Sequence, residues 1–287
     1  MTLGLFLIAA ASALFIALGI VLTPFGLRHV GPLTGASVSV PTSAVLLLAV
    51  SPLTVDWGQW HGTGALIFAA GGLFYPASVT LLNFASNRRL GPNLTAAIGN
   101  VTPLFAIALA IAFLGESLRL VQAAGIATLF AGLALIAADR VRTHPGVSLW
   151  LFAIPVVGAV LRGGAQPLVK AGLASWPNAF AAATIAYSMS ATVILATRMI
   201  LPRYGPPLSV PGAAWFFAIG TSNGLGLLLM YVALAQGTVS LVAPVVATYP
   251  LMTYAINRLV LRQAAASAPG TIGIGLTVLG VIVLLAL

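Results

Sequence analysis

The sequence has 287 residues, of which 60% are hydrophobic and only 5% are charged. A soluble domain carries about 25% charged residues, so this composition excludes a water-soluble surface. Cysteine is absent, which excludes disulfides, thiolate metal sites and cysteine nucleophiles. The net charge of +9 comes from basic residues that never form a run of three, a pattern that argues against nucleic-acid binding and is typical of residues flanking membrane spans.

Ten mainly apolar stretches, each about twenty residues long, follow one another along the chain. The predicted spans, numbered 1 to 10 in chain order, are 3–23, 32–50, 62–84, 92–113, 121–138, 150–170, 178–201, 211–235, 239–261 and 269–287. Every Asp, Glu and His falls at a joint between two of these spans. The pattern predicts an all-α integral membrane protein with ten transmembrane helices, a multi-pass protein of the cell (inner) membrane.

Polar and aromatic side chains interrupt the apolar spans of the first half. Tyr75 lies in span 3, and Asn93 and Asn100, seven residues apart, share one face of span 4. Pro103 loosens the same span, which exposes backbone groups that a ligand can bind. Substrate contact is one interpretation of Tyr75 and Asn100. The other is that these side chains only hold helices together by hydrogen bonds.

Arg162 is the one charged residue that lies clearly inside a span. It is roughly 12 Å along the helix axis from Lys170, and Gln166, four residues later, shares its face. Gly163 and Gly164 are expected to leave room beside it. A charge within the membrane costs about 2.5 to 3.5 kcal/mol, so we predict that Arg162 and Gln166 bind a substrate carboxylate or phosphate. The alternative is a structural clamp on helix carbonyls, or a side chain that snorkels.

Spans 8 and 9 supply the remaining candidates. Asn223 lies in the span equivalent to that of Tyr75, and Tyr249-Pro250 occupies the place in span 9 that Pro103 has in span 4. We predict substrate contacts from these side chains, with helix joining as the alternative. Glycines in spans 3 and 8 indicate close helix packing: Gly71, Gly72, Gly220, Gly224 and Gly226. No Asp or Glu lies inside a span, which disfavours a cationic substrate.

The second half of the sequence weakly repeats the first. A shift of 147 residues, extended by one inserted residue, produces a series of Pro and Gly matches: Pro103 with Pro250, Gly125 with Gly273, and Gly132 with Gly280. Each repeat then holds five spans, an odd number, so the second copy enters the membrane from the opposite side. We predict two inverted five-helix repeats, residues 1–146 and 147–287, around a central cavity.

A Leu-Gly-Glu turn at 114–116 joins spans 4 and 5, with Pro103-Leu104-Phe105 before it, Gln122 and Gly125 after it, and the 231–236 stretch leading into span 9. These residues resemble the ten-helix branch of the drug/metabolite transporter superfamily, whose repeats are called EamA domains. The second copy departs from that pattern, with Arg262-Gln263 where the family usually has Gly-Glu. The resemblance implies a secondary transporter, often an exporter of amino acids or other metabolites, with a cavity lined by spans 1, 3, 4, 6, 8 and 9.

The distribution of basic residues predicts an orientation. Nine arginines lie at or near odd-numbered connections, whereas even-numbered connections offer only Arg119 and Lys170. The positive-inside rule then places the odd connections in the cytoplasm and both termini outside. The family resemblance implies the reverse, with both termini inside.

These observations favour a secondary transporter that moves an amino acid or another small carboxylate by alternating access. A flippase for a lipid-linked head group, an intramembrane enzyme and a non-transporting receptor or assembly factor are the alternatives. The sequence shows no paired carboxylates, metal-ligand spacing or phosphate-binding loop, so no catalytic residue, metal or cofactor is predicted. The expected partners are membrane lipid and the small-molecule substrate, with the monomer as the functional unit.

Overall fold

The computed structural model describes residues 1–91, 95, 99, 101–142, 149–201, 208–260 and 268–285. The helices of the first half are α1 (Leu3–Leu27), α2 (Pro32–Thr54), α3 (Gly62–Gly72), α4 (Val79–Leu90), α5 (Thr102–Leu114) and α6 (Leu120–Arg142). Those of the second half are α7 (Ala153–Ser175), α8 (Ala179–Ile200), α9 (Val210–Gln236), α10 (Val239–Val246), α11 (Tyr249–Leu259) and α12 (Ala268–Leu285). A π-helical segment, Leu73–Ser78, joins α3 to α4.

Seven stretches of the described residues are long and apolar enough to cross a membrane as helices. They are Leu3–Leu27, Pro32–Thr54, Gly62–Leu90, Trp150–Ser175, Ala179–Ile200, Val210–Gln236 and Val239–Leu259. Three shorter apolar helices complete the set: Thr102–Leu114, Leu120–Leu135 and Pro269–Leu284. The prediction of an all-helical, ten-helix membrane protein is therefore confirmed.

Two of the spans are interrupted near their middles. In span 3, Tyr75 leaves the helical conformation, with φ −141° and ψ 124°, and its peptide bond to Pro76 is cis. In span 9, the chain turns at Ala247 and Thr248 before α11 begins at Tyr249. Pro250 stands in the first turn of α11. A backbone N–H at that position has no partner within the helix, so the N–H that proline lacks costs no helical hydrogen bond.

The predicted close-packing glycines lie where helices cross. Gly72 packs against the backbone of Ala186, and Ser190 Oγ donates a hydrogen bond to the Gly72 carbonyl at 2.6 Å. The mirror contact joins Gly220 to the backbone of Ser39, with a hydrogen bond from Ser43 Oγ to the Gly220 carbonyl at 2.7 Å.

The first crossing joins span 3 to span 7, and the second joins span 8 to span 2. In the predicted repeats span 8 corresponds to span 3 and span 2 to span 7, so the two crossings are equivalent. The other large helix contacts follow the same correspondence. The contact of α1 with α9 corresponds to that of α7 with α3 and α4. The contacts of α2 with α8 and of α6 with α12 each join two corresponding spans. Two inverted repeats produce such a pattern.

The connections between spans fall at two opposite ends of the bundle. The even end holds the even-numbered connections (2–3, 4–5, 6–7 and 8–9), and the odd end holds the odd-numbered ones (1–2, 3–4, 5–6, 7–8 and 9–10). At the even end, Glu116 accepts a hydrogen bond from Ser240, Lys170 donates one to the Gly237 carbonyl, and the Trp60 ring lies 5.4 Å from that of Trp176. These contacts bring connections 2–3, 4–5, 6–7 and 8–9 together. At the odd end, His29 and Val30 lie against Gly212. The described arginines at or near the odd connections are Arg28, Arg88, Arg89, Arg140, Arg142, Arg198 and Arg258.

Candidate functional site

Arg162 lies near the middle of α7 and faces the interior of the bundle rather than lipid. Its side chain is only 9% exposed. The guanidinium carbon stands 5.3 Å from the centre of the Tyr75 ring and 5.9 Å from that of Tyr249. A cation held over aromatic faces at these distances is attracted by the ring quadrupole, and burial strengthens that attraction. The broken spans 3 and 9 thus present the two rings that enclose the charge.

Three small cavities meet at Arg162. The largest, about 40 Å³, runs toward the odd end between Thr23, Thr80 and Asn83. A second, about 20 Å³, reaches Asn87, Thr95 and Gly99, and a third, about 10 Å³, lies on the even side beside Gln166, Met230 and Ala243. Pockets for drug-sized ligands are about 300 to 1,000 Å³. The guanidinium therefore lies in an occluded chamber that is far smaller than a pocket for a drug-sized ligand.

The described residues predicted to bind substrate lie together around this chamber. Tyr75 and Asn223 line the largest cavity with Arg162, and Tyr249 and Gln166 line the smallest. Asn100 lies outside the described residues. The chamber is thus built from both halves of the chain.

Two glycines make space for these side chains. A Cβ at Gly19 would collide with the amide of Asn223, which rests against α1. A Cβ at Gly99 would stand 2.5 Å from the hydroxyl oxygen of Tyr249.

Gly163 does not have the role that the sequence suggested. It was expected to leave room beside the arginine, but it faces α5 instead, where a Cβ would stand 2.7 Å from the Thr102 carbonyl oxygen and 2.8 Å from Phe105 Cβ. Gly164 faces Leu109 on the same side. Gly163 thus lets spans 4 and 6 approach closely, whereas a Cβ at Gly164 would make only an ordinary contact, 3.6 Å from Leu109.

Several buried polar atoms of the chamber have no hydrogen-bond partner among the described residues. They include one donor, Arg162 Nε, two pure acceptors, Gln166 Oε1 and Asn87 Oδ1, and the hydroxyl group of Thr102. A buried polar group without a partner costs about 1 to 3 kcal/mol, so such groups are rare unless something binds them. Nor does any described carboxylate form an ion pair with Arg162. The site can therefore accept both an anionic group and a hydrogen-bond donor.

Residues 2–138 match the EamA-like transporter family. This part of the chain is an EamA-like transporter domain. A family match of this kind indicates a membrane transporter of the drug/metabolite transporter superfamily. A search of curated proteins found no match.

A structural likeness to one solved protein covers almost the whole chain. A solved structure, described only as the crystal structure of a protein, superposes on 99% of this chain and 96% of its own with a TM-score of 0.78. The two sequences are 16% identical, so the comparison shows a shared fold alone. The fold shared with that structure includes the region after residue 138, which supplies Arg162 and Tyr249.

The cavity residues that sequence reasoning missed include two asparagines and a tyrosine: Asn83, Asn87 and Tyr187. Asn83 lies inside predicted span 3 and Asn87 in the joint after it, and neither was predicted to be a site residue, although their spacing of four puts them on one helix face. That spacing was the available signal. Tyr187 stands alone in an apolar span, and only the crossing of α8 with the Tyr75 segment brings it to the chamber.

Proposed function

We propose that this protein is a secondary transporter for a small metabolite with a carboxylate group, most simply an amino acid. It works as a monomer in the cell (inner) membrane, by rocking two inverted repeats, residues 1–146 and 147–287, about the chamber at Arg162. The region matched to the EamA-like family supports transport in general. The substrate and the mechanism rest on the chamber itself.

The observation that carries the proposal is the buried guanidinium with a free Nε donor. Arg162 is 9% exposed, and within the described chain no acidic side chain neutralises it. A buried charge is tolerated when an opposite charge binds it with good geometry, and the planar guanidinium suits a carboxylate. The substrate supplies that charge in the closed state.

An amino group fits the other side of the same chamber. Gln166 lies one helical turn from Arg162, and its amide oxygen has no partner among the described residues. An ammonium group donates hydrogen bonds and would satisfy that acceptor, while the carboxylate of the same molecule pairs with the arginine. A zwitterion therefore satisfies both atoms, whereas a simple amine leaves the guanidinium unpaired.

A binding panel tests this proposal. Purified protein is screened by thermal shift against amino acids, and each hit is compared with the carboxylic acid lacking its amino group and the amine lacking its carboxyl group. We expect stabilisation by the amino acid, less by the acid and none by the amine. Stabilisation by the amine equal to that by the amino acid would refute the role of Arg162.

A second candidate function is a flippase for a lipid-linked head group. It is favoured by an apolar groove of about 510 Å³ on the opposite side of α7, lined by Phe74, Leu109, Phe113 and Val160 among others. Three of these side chains are at least 40% exposed on the outer face: Phe74, Phe113 and Val160. A fluorescent-lipid scrambling assay in liposomes separates the candidates, since a metabolite carrier leaves lipid asymmetry unchanged.

A further inference from the structure

The Leu-Gly-Glu turn makes a contact that its motif alone does not explain. Glu116 stands just beyond α5, after Gly115, which ends that helix in the left-handed conformation at φ +66°. Its carboxylate accepts hydrogen bonds from the backbone N–H groups of Val239 and Ser240, at 2.8 and 2.9 Å, and a short one from Ser240 Oγ. One acid of the first half of the chain thus caps the first helix of span 9 in the second half.

Lys170 holds the preceding segment from the other side. Its ammonium donates hydrogen bonds to the carbonyls of Leu234 and Gly237, at 2.7 and 2.9 Å, where α9 ends. The 8–9 connection is therefore held by an anion at the start of α10 and by a cation at the end of α9. Each charge has the sign that its helix end attracts. We call Glu116, Lys170 and the 234–240 segment the clasp.

The clasp lies at the even end of the bundle, next to the chamber along the helix axes. Lys170 is eight residues from Arg162 on α7, about 12 Å along the axis. Between them the bundle is sealed by side chains that are at most 1% exposed: Val169, Met230, Leu234 and Ala243. On the other side, the larger cavities run toward the odd end past Thr23 and Asn87.

The odd end has no equivalent acid in the sequence. The residue that a shift of 147 places opposite Glu116 is Gln263. An amide lacks the charge that makes hydrogen bonds to backbone N–H groups strong. The two ends therefore differ chemically even though the halves of the protein are related.

We propose that the clasp is the gate of the even end, and that Glu116 and Lys170 are positioning residues that set how often this end opens. The inference deepens the alternating-access part of the proposed function and does not depend on the substrate. Because the groups of the clasp connect spans 4, 6, 8 and 9, the 8–9 connection cannot move away from the chamber until these hydrogen bonds break. Weakening them shifts the population toward a state open at the even end.

Cysteine labelling tests the gate, since the natural sequence contains no cysteine. One reporter is Ala243→Cys, in the sealed layer on the even side of Arg162, and the other is Thr23→Cys, in the cavity on the odd side. A thiol-specific reagent reacts with the thiolate, so the labelling rate reports access to water. Rates are measured on purified protein with Glu116→Gln or Lys170→Gln added to each reporter.

We expect either substitution to raise the labelling rate of Ala243→Cys about tenfold and to lower that of Thr23→Cys. The matched control is Asp56→Asn. Asp56 is an exposed acid at the same end, and it accepts hydrogen bonds from the Gly58 N–H and from Gln59 Nε2 within its own loop. This control should change neither rate.

An unchanged rate at Ala243→Cys would overturn the gate. So would equal increases at both reporters, because general loosening opens both ends whereas a gate exchanges one opening for the other. Neither result would touch the binding panel, which tests the chamber separately.

Discussion

At the scale of single residues, the chamber is organised by one charge and two aromatic rings. Arg162 is placed by α7, while Tyr75 and Tyr249 come from spans broken by proline. The rings restrict the guanidinium without neutralising it, which leaves its charge for a ligand. A lysine cannot replace this arrangement, because its ammonium neither stacks on rings nor forms the planar fork that fits a carboxylate.

The Tyr75 ring gives a prediction at this scale. Tyr75→Phe keeps a ring over the guanidinium and should change the affinity for the best ligand of the panel by less than about threefold. Tyr75→Leu removes a cation–π contact of about 1 to 2 kcal/mol and should weaken binding about fivefold to thirtyfold. Titration of purified protein measures both values. The control is Phe113→Leu, an aromatic change on the exposed outer face, which should leave affinity unchanged.

At the scale of the helices, small residues determine where spans cross. Gly72 and Gly220 stand at equivalent crossings, each under a serine hydroxyl from the partner helix. In a membrane, close backbone approach and buried hydrogen bonds replace the hydrophobic effect as the source of helix association.

We therefore expect Gly72→Ala and Gly220→Ala to destabilise the protein, because each new methyl group would collide with backbone of the crossing helix. Overpacking typically costs about 1 to 3 kcal/mol, so the melting temperature in detergent should fall by several degrees. Gly275→Ala in α12, where a methyl group meets no atom within 4 Å, is the control and should leave the melting temperature unchanged or slightly higher. A melting temperature for Gly220→Ala equal to that of the natural protein would contradict this account of the crossing.

Some features of the helices could be predicted from the sequence alone, and others could not. Ten spans and the loosening of span 9 at Pro250 follow from hydropathy and proline chemistry. Which face of a span points inward does not follow where the span is apolar nearly all round and carries little helical periodicity, as span 3 does. For that reason Asn83 and Asn87 were missed and Gly163 was given the wrong neighbour. Arg162 could be found only because a charge in a span needs no periodicity to be noticed.

At the scale of the whole molecule, the ends of the bundle carry unequal charge. All the described arginines of the connections except Arg119 lie at the odd end, and the clasp lies at the even end. The positive-inside rule predicts that the odd end faces the cytoplasm, so the gate faces outward.

A reporter fused to the C-terminus tests this orientation. A phosphatase fusion, active only outside the cytoplasm, should be active, and a fluorescent-protein fusion, which folds only in the cytoplasm, should be dark. A fluorescent fusion with an inactive phosphatase would instead support the orientation that the resemblance to the superfamily implies.

The central claim is that Arg162 anchors a transported carboxylate, and solute flux tests it most directly. Liposomes that contain only this protein are loaded with unlabelled amino acid from the binding panel, and uptake of the labelled form by exchange is measured for the natural protein, Arg162→Ala, Arg162→Lys and the exposed-residue control Arg119→Ala. We predict saturable uptake by the natural protein and Arg119→Ala, and a loss of about thirtyfold or more for both substitutions of Arg162, since removing one partner of a buried charge pair costs about 2 kcal/mol or more. Uptake by folded Arg162→Ala at the rate of the natural protein would contradict the claim.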